Sequence, residues 1–304
     1  MESFLTAALD VALFVVLAML VYLAEDRHRA FRWAAGIWLL VLIGGLAAAT
    51  AGFGLLSILP PEALDAEQFD PETVDLALAA EMALLLLGVL VAGLASLIGF
   101  SRKFRVWLAR YLPFDPDSFL HTVALVVILA MILIPPVPLL VTGGPPFLSP
   151  PFLDLLLASG DLLADTVTLN AYTLFWTIVG SFFIAGACVR RTPRETLERL
   201  GLVRPTGRGV LLAVAAALAL VAAGFGEEVS IRGLLQPRFG ILLPALLFAS
   251  LHAFQYSWDG LISVFLAGLV FAYIRRYSNT TTSAITHTVY DLVLFAMLMV
   301  GVSF

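Results

Sequence analysis

Long apolar runs, separated by connections whose charge alternates, constrain this chain more than any other feature. Runs at roughly 4–24, 33–57, 75–100, 119–141, 168–188, 209–225, 239–255, 260–275 and 283–303 reach or approach the span of about 20 residues that a helix needs to cross a bilayer. Hydrophobic residues make up 61% of the 304 positions and charged residues 13%, where a soluble domain would carry roughly a quarter charged. A transmembrane barrel would instead show short segments of alternating polarity, and the sequence has none. The expected fold class is therefore all-α: a polytopic transmembrane helical bundle of eight to nine spans, integral to a membrane and multi-pass.

The connections set an expected orientation. The first carries Arg27, Arg29 and Arg32, and the second carries Glu62, Asp65, Glu67, Asp70 and Glu72 with no Lys or Arg. Arg102, Lys103, Arg105 and Arg110 follow, then a Pro- and Gly-rich connection, then Arg190, Arg191, Arg194, Arg199, Arg204 and Arg208. Basic loops stay on the cytoplasmic side, which places the N-terminus outside through residue 208. Met1-Glu2 lacks the basic flank of a signal peptide, so the first run reads as a retained span. Three segments are expected: an N-terminal bundle at 1–188, a basic cytoplasmic linker at 189–208 with an amphipathic helix at Thr192–Leu200, and a core at 209–304. Within 151–167, acidic residues among leucines read as an interfacial helix. The net charge of −5 says little about partners, because the charges are distributed by membrane side, but no basic patch is interleaved with aromatics and nothing points to a nucleic-acid partner.

The last segment holds polar groups that lipid does not tolerate cheaply. An ionisable side chain at membrane depth costs about 2.5 kcal/mol on insertion scales, and Glu227, Glu228 and Arg232 fall within one short stretch between apolar runs. On a helix, Glu228 and Arg232 are four apart and face each other, so the arginine would hold Glu228 ionised. Glu227 projects about 100° away and is the freer carboxylate. Read alone, the Glu228–Arg232 pair serves equally well as a structural pin between helices. Gly224 and Gly226 flank Phe225 just ahead, and a break there would let 209–238 fold back as two half-spans lining an enclosed cavity.

Phe248 and His252 are four apart on a later helical run, and so are His287 and Asp291 on the last one. His287 and Asp291 could bind one metal together, or Asp291 could orient the imidazole. Each motif is weak alone; three of them in order within the last third of the chain carry far more.

That order, Glu-Glu-x-x-x-Arg, then Phe-x-x-x-His, then His-x-x-x-Asn or Asp, resembles the CPBP intramembrane metalloprotease family. This family includes the CAAX prenyl endopeptidases and proteins of the bacterial abortive-infection and bacteriocin-processing types. The chain matches at Glu227, Glu228 and Arg232, at Phe248 and His252, and at His287 and Asp291. The stretches 195–205 and 276–285 also look like the family's surroundings, and the resemblance covers about 190–304. It departs at Ser230-Ile231, where family members commonly carry bulky apolar residues.

The resemblance implies an intramembrane endopeptidase, a hydrolase acting on a membrane-associated or lipid-anchored protein or peptide in a prokaryotic cell membrane. It implies Glu227 as the general base on water, with His252 helping to hold that water. His287 and Asp291 would form an oxyanion site or bind metal, Arg232 would complete a structural ion pair, and Phe248 would pack the site. An ionised Asp291 would repel an oxyanion, so it must be protonated, orient His287, or ligate a cation. His252, His287 and Asp291 would suit zinc with an open fourth position, beside a metal-free glutamate mechanism. Two other readings stand: a non-proteolytic membrane immunity or partner-binding protein, and an ion-coupled transporter using the same polar cluster.

Overall fold

The structure, a computed structural model, describes residues 2–26, 29–59, 75–150, 152–153, 162–187, 189–202 and 222–299. The acidic connection at 60–74 and the first part of the expected span at 209–225 lie outside the described residues. Most of the expected interfacial helix does too, and its last residues, 162–167, belong to the long helix that follows.

The elements in order are α1 (Glu2–Asp26), α2 (Arg29–Ile58), α3 (Leu76–Ser96), α4 (Arg102–Leu108), α5 (Phe119–Leu133), α6 (Val137–Thr142) and α7 (Leu162–Ile184). They continue with α8 (Pro193–Leu200), α9 (Ala222–Glu227), a π-helical turn (Glu228–Leu235), α10 (Gln236–Phe239), α11 (Leu242–Leu251), α12 (Trp258–Tyr277) and α13 (Thr280–Met299). No strand occurs among the described residues, so the all-α expectation holds. Among them, Ala7–Glu25, Ala30–Ile58, Leu76–Phe100, Phe119–Thr142 and Trp258–Tyr277 are helical, long and apolar enough to cross a membrane. The chain is a multi-pass membrane protein. The run expected at 239–255 holds only the ten-residue α11, too short to span alone.

Local sequence sets these boundaries. The Asp75 side chain accepts from the Leu78 N–H at 2.8 Å, and the Ser118 hydroxyl accepts from the His121 N–H at 3.3 Å, capping α3 and α5. The α5 helix gives out at Ile134 because Pro135 and Pro136 offer no N–H to continue the ladder. Thr192 and Glu195 form a reciprocal capping box on α8, and Gly201 ends it at φ 73°.

The chain divides into two compact units. One comprises Ala24–Leu162 and Leu246–Leu266. Its centre is α2, α3, α5 and α6, with Leu39, Leu85, Leu125, Ile134 and Leu139 fully buried. Gly54 admits the closest approach there, since a Cβ on it would fall 2.7 Å from both Cδ atoms of Leu85. Phe53, Phe147, Phe152 and Phe254 stack in one aromatic group, with Phe147 and Phe152 centred 4.5 Å apart.

The other unit comprises Met1–Leu23, Leu163–Ala245 and Ala267–Phe304. Here α1 lies against α7, where a Cβ on Gly180 would collide with Val11. Ala185, Leu200 and Val229 form a small buried group beside Phe182, Phe225 and Leu234. Two glycines let α8 wedge inward: a Cβ on Gly233 would sit 2.8 Å from the Leu200 carbonyl oxygen, and one on Gly201 would sit 2.7 Å from the Thr280 hydroxyl. The end of the linker helix is thus pressed against the π turn and the start of α13.

Candidate active site

The break expected at Gly224 and Gly226 is not there. Helical structure runs unbroken from Ala222 to Phe239, and the irregularity lies further on, in the π turn. The Gln236 N–H bonds back to Ile231 O, five residues earlier, the signature of an inserted residue. Ser230 contributes, since its hydroxyl donates to Gly226 O at 2.8 Å and lies 3.1 Å from Glu227 O. A side chain competing for those carbonyls loosens the ordinary ladder. Gly224 has a different role: a Cβ there would come within 3.2 Å of His287 Cγ and 3.3 Å of an Asp291 carboxylate oxygen. The glycine lets α9 lie directly on α13.

This juxtaposition brings five of the seven expected site residues together. Glu228 Oε1 lies 3.3 Å from His287 Nδ1 and 3.7 Å from Arg232 Nε. On the other edge of the imidazole, Nε2 lies 3.6 Å from Asp291 and 3.8 Å from Glu227. The Glu228 and Arg232 side chains are completely buried, whereas those of Glu227 and Asp291 are 36% and 32% exposed. The two adjacent glutamates therefore differ sharply: Glu228 is sealed in with an arginine, and Glu227 is partly exposed beside the histidine.

Three interactions hold this arrangement on α12. Arg232 Nη2 donates to Gly268 O at 3.1 Å, and Gln236 Nε2 donates to Ala272 O at 2.8 Å. Ser283, fully buried on α13, places its hydroxyl in a short hydrogen bond with Glu228 Oε2 and 2.8 Å from Phe271 O. The Phe271 ring stacks on the His287 imidazole with centroids 4.4 Å apart, which fixes the plane of that ring. Sequence reasoning missed Ser283, Phe271 and Gln236. Gln236 carried a signal, being four residues beyond Arg232 on the same helix, a further polar step in an apolar stretch. Ser283 and Phe271 carried none.

Phe248 and His252 belong to the other unit, and each is placed by local geometry. His252 Nδ1 lies 2.8 Å from Phe248 O, and the two rings are centred 4.8 Å apart. A proton on Nδ1 would donate to that carbonyl and leave the Nε2 lone pair to accept from water. Ser250 anchors the same turn of α11, its hydroxyl 2.8 Å from Ile132 O and 3.0 Å from Met131 O.

The zinc expectation rested on His252, His287 and Asp291. Among the described residues, no group of three or more His, Cys, Asp or Glu side chains is arranged to hold a metal ion. Both His287 nitrogens face carboxylates at hydrogen-bond or ion-pair range, which is how a positioned acid–base imidazole is held.

No curated protein and no solved structure matches this chain. A family model does, over the part of the sequence that contains all seven residues. Across residues 209–293 the chain matches the Rce1-like type II CAAX prenyl endopeptidases, the protease family to which its motifs pointed.

Proposed function

We propose that this protein is an intramembrane endopeptidase of the CAAX type that hydrolyses a peptide bond in a membrane-associated or lipid-anchored protein. The observation that carries the reading is the contrast between the two glutamates within the family-matched segment. A buried, arginine-paired Glu228 pins the π turn, and the partly exposed Glu227 stands 3.8 Å from His287.

In this reading Glu227 takes a proton from water and the water oxygen adds to the scissile carbonyl carbon. The family resemblance gives His252 a water-holding role, and with Nδ1 turned to Phe248 O its Nε2 lone pair suits that role. The carbonyl oxygen gains negative charge, and His287, donating from Nε2, stabilises it. The C–N bond then breaks, the nitrogen taking back the proton held by Glu227. Glu228, 3.3 Å from Nδ1, fixes the ring from its far edge, and Asp291, 3.6 Å from Nε2, is too distant to take the N–H that the oxyanion needs.

The test uses the purified full chain in liposomes with membrane-anchored peptides, with and without chelator, and reads products by mass spectrometry. Wild type should cut, and Glu227→Gln should not, while keeping the wild-type unfolding midpoint. A folded wild type that cuts nothing, or a Glu227→Gln variant that cuts equally well, overturns the reading. Loss of cutting on chelation would assign a metal to the mechanism, and undiminished cutting would assign the metal-free glutamate route.

A further inference from the structure

The site leaves unused a second convergence of charge in the same unit. Arg232 bonds to Gly268 O and Gln236 bonds to Ala272 O, an advance of four residues on each helix. The two segments therefore run side by side in the same direction, and within one turn beyond this pairing come Arg238 on α10 and Arg275 in the last turn of α12. The wedge formed by Leu200, Gly201, Gly233 and Thr280 fixes α8 at the same end, and Arg199 is the residue before Leu200. Four arginines gather there, with Arg191 as the fourth. The guanidinium of Arg199 is pulled down to about 10, by burial first and then by Arg238, Arg191 and Arg275.

Among the described residues no carboxylate forms an ion pair with Arg199, Arg238 or Arg275, while Arg191 is faced by Glu195. The acidic residues of α8 are occupied elsewhere: Glu195 accepts from the Thr192 N–H at 2.8 Å and its hydroxyl at 2.9 Å, and Glu198 accepts from Arg194 at 3.1 Å. Arg191 gives one N–H to the Ala185 carbonyl. Arg275 keeps a buried Nε with no hydrogen-bond partner, an unmet donor that an anion would satisfy. Tyr273 and Tyr277, stacked 6.4 Å apart and largely exposed on α12, mark the same end as the water–lipid boundary, where such rings concentrate. Leu197 is exposed on α8 beside them in sequence to Arg199.

We infer that Arg199, Arg238 and Arg275, with Arg191 behind them, form a binding site for the phosphate of an acidic phospholipid headgroup. Guanidinium groups are matched to phosphate oxygens in geometry and charge, and basic pockets between helices at the membrane boundary hold such headgroups. The site has a consequence for the chemistry nearby. A headgroup on Arg199 would clamp α8, whose Leu200 carbonyl rests on Gly233 inside the π turn that carries Glu228 and Arg232. Acidic lipid would thereby stiffen the site from outside it.

The experiment needs no protease activity. The full chain is reconstituted into phosphatidylcholine vesicles with and without phosphatidylglycerol, and into phosphatidylcholine with added inorganic phosphate. Thermal unfolding and lipid retained through purification are measured. Phosphatidylglycerol should raise the unfolding midpoint and be retained, with about a five-fold loss of retention for each arginine removed in Arg199→Gln, Arg238→Gln and Arg275→Gln. Arg194→Gln, which breaks the exposed pair with Glu198, should behave as wild type. Arg238 is exposed, so its variant tests the site even if Arg275→Gln fails to fold. An equal effect of phosphatidylglycerol on wild type and Arg238→Gln overturns the proposal. So does equal stabilisation by inorganic phosphate alone, which would make the ligand a free anion.

Discussion

The α3 helix, within a run long and apolar enough to cross a membrane, and the π turn between apolar runs are built on opposite plans. Along α3 the large side chains point away from the protein: Leu84, Leu86, Leu87, Leu90, Val91 and Leu94 are exposed, while Leu85, Val89, Gly93 and Ser96 are buried. Along the π turn the charged groups are inside, with Glu228 and Arg232 completely buried. Lipid tails are as apolar as leucine, so a leucine gains little by leaving them, and tight interfaces are made by small residues instead. A charge gains a great deal by leaving lipid, provided it finds a partner. In this medium the polar network, more than the apolar surface, dictates which face of a helix turns inward.

The comparison is broken most severely by acting on the exposed carboxylate. Glu227→Gln should lower turnover by about 10²–10⁴-fold, the range for loss of a general base, with no change in unfolding midpoint. Asp291→Asn should lose far less, because the family pattern accepts asparagine there and Glu228 still fixes the His287 ring. Turnover against membrane-anchored peptides checks both. If Glu227→Gln also unfolds the protein, the division of labour between the two glutamates is wrong.

Next in size is the buried pair. Arg232→Met removes the guanidinium beside a Glu228 at 0% exposure and should cost about 3–5 kcal/mol of stability. Adding Glu228→Gln should recover most of that, since the amide no longer needs a counter-charge. Denaturant unfolding in mixed micelles measures the cycle. A double variant as unstable as the single one would show that Arg232 acts through Gly268 alone.

Some of this was legible in the sequence and some was not, for physical reasons. The pairs Glu228–Arg232 and His287–Asp291 could be read because a spacing of four keeps two side chains on one helix face. The linker helix could be read because Thr192 is a capping residue with a glutamate three positions later. The π turn could not, since one inserted residue in a hydrogen-bond ladder leaves no mark on residue type. Gly224 and Gly226 suggested a break because freedom to bend and freedom to be approached demand the same residue. The structure uses the second at Gly224. Ser283 and Phe271 could not be picked out, because a buried serine and a phenylalanine look ordinary until Glu228 and His287 are placed beside them.

The same comparison can be tested at two close approaches, where the effects are smaller. Gly233→Ala would drive a methyl to 2.8 Å from the Leu200 carbonyl oxygen, a backbone atom that cannot swing aside. It should cost about 1–3 kcal/mol and loosen α8, seen as faster hydrogen exchange at Leu200. Gly54→Ala meets only the Cδ atoms of Leu85, the far end of a flexible side chain. It should cost less than Gly233→Ala, and Leu85→Ala in the same chain should offset it, because the new methyl occupies space the leucine leaves. Leu85→Ala alone should cost about 1–3 kcal/mol, below the usual range for a buried leucine because lipid removes the transfer term and leaves the packing loss. Leu87→Ala, two positions away and 56% exposed, should change nothing measurable. Unfolding midpoints of these variants decide the matter: a Leu87→Ala cost equal to that of Leu85→Ala would mean that α3 is held by its leucines after all.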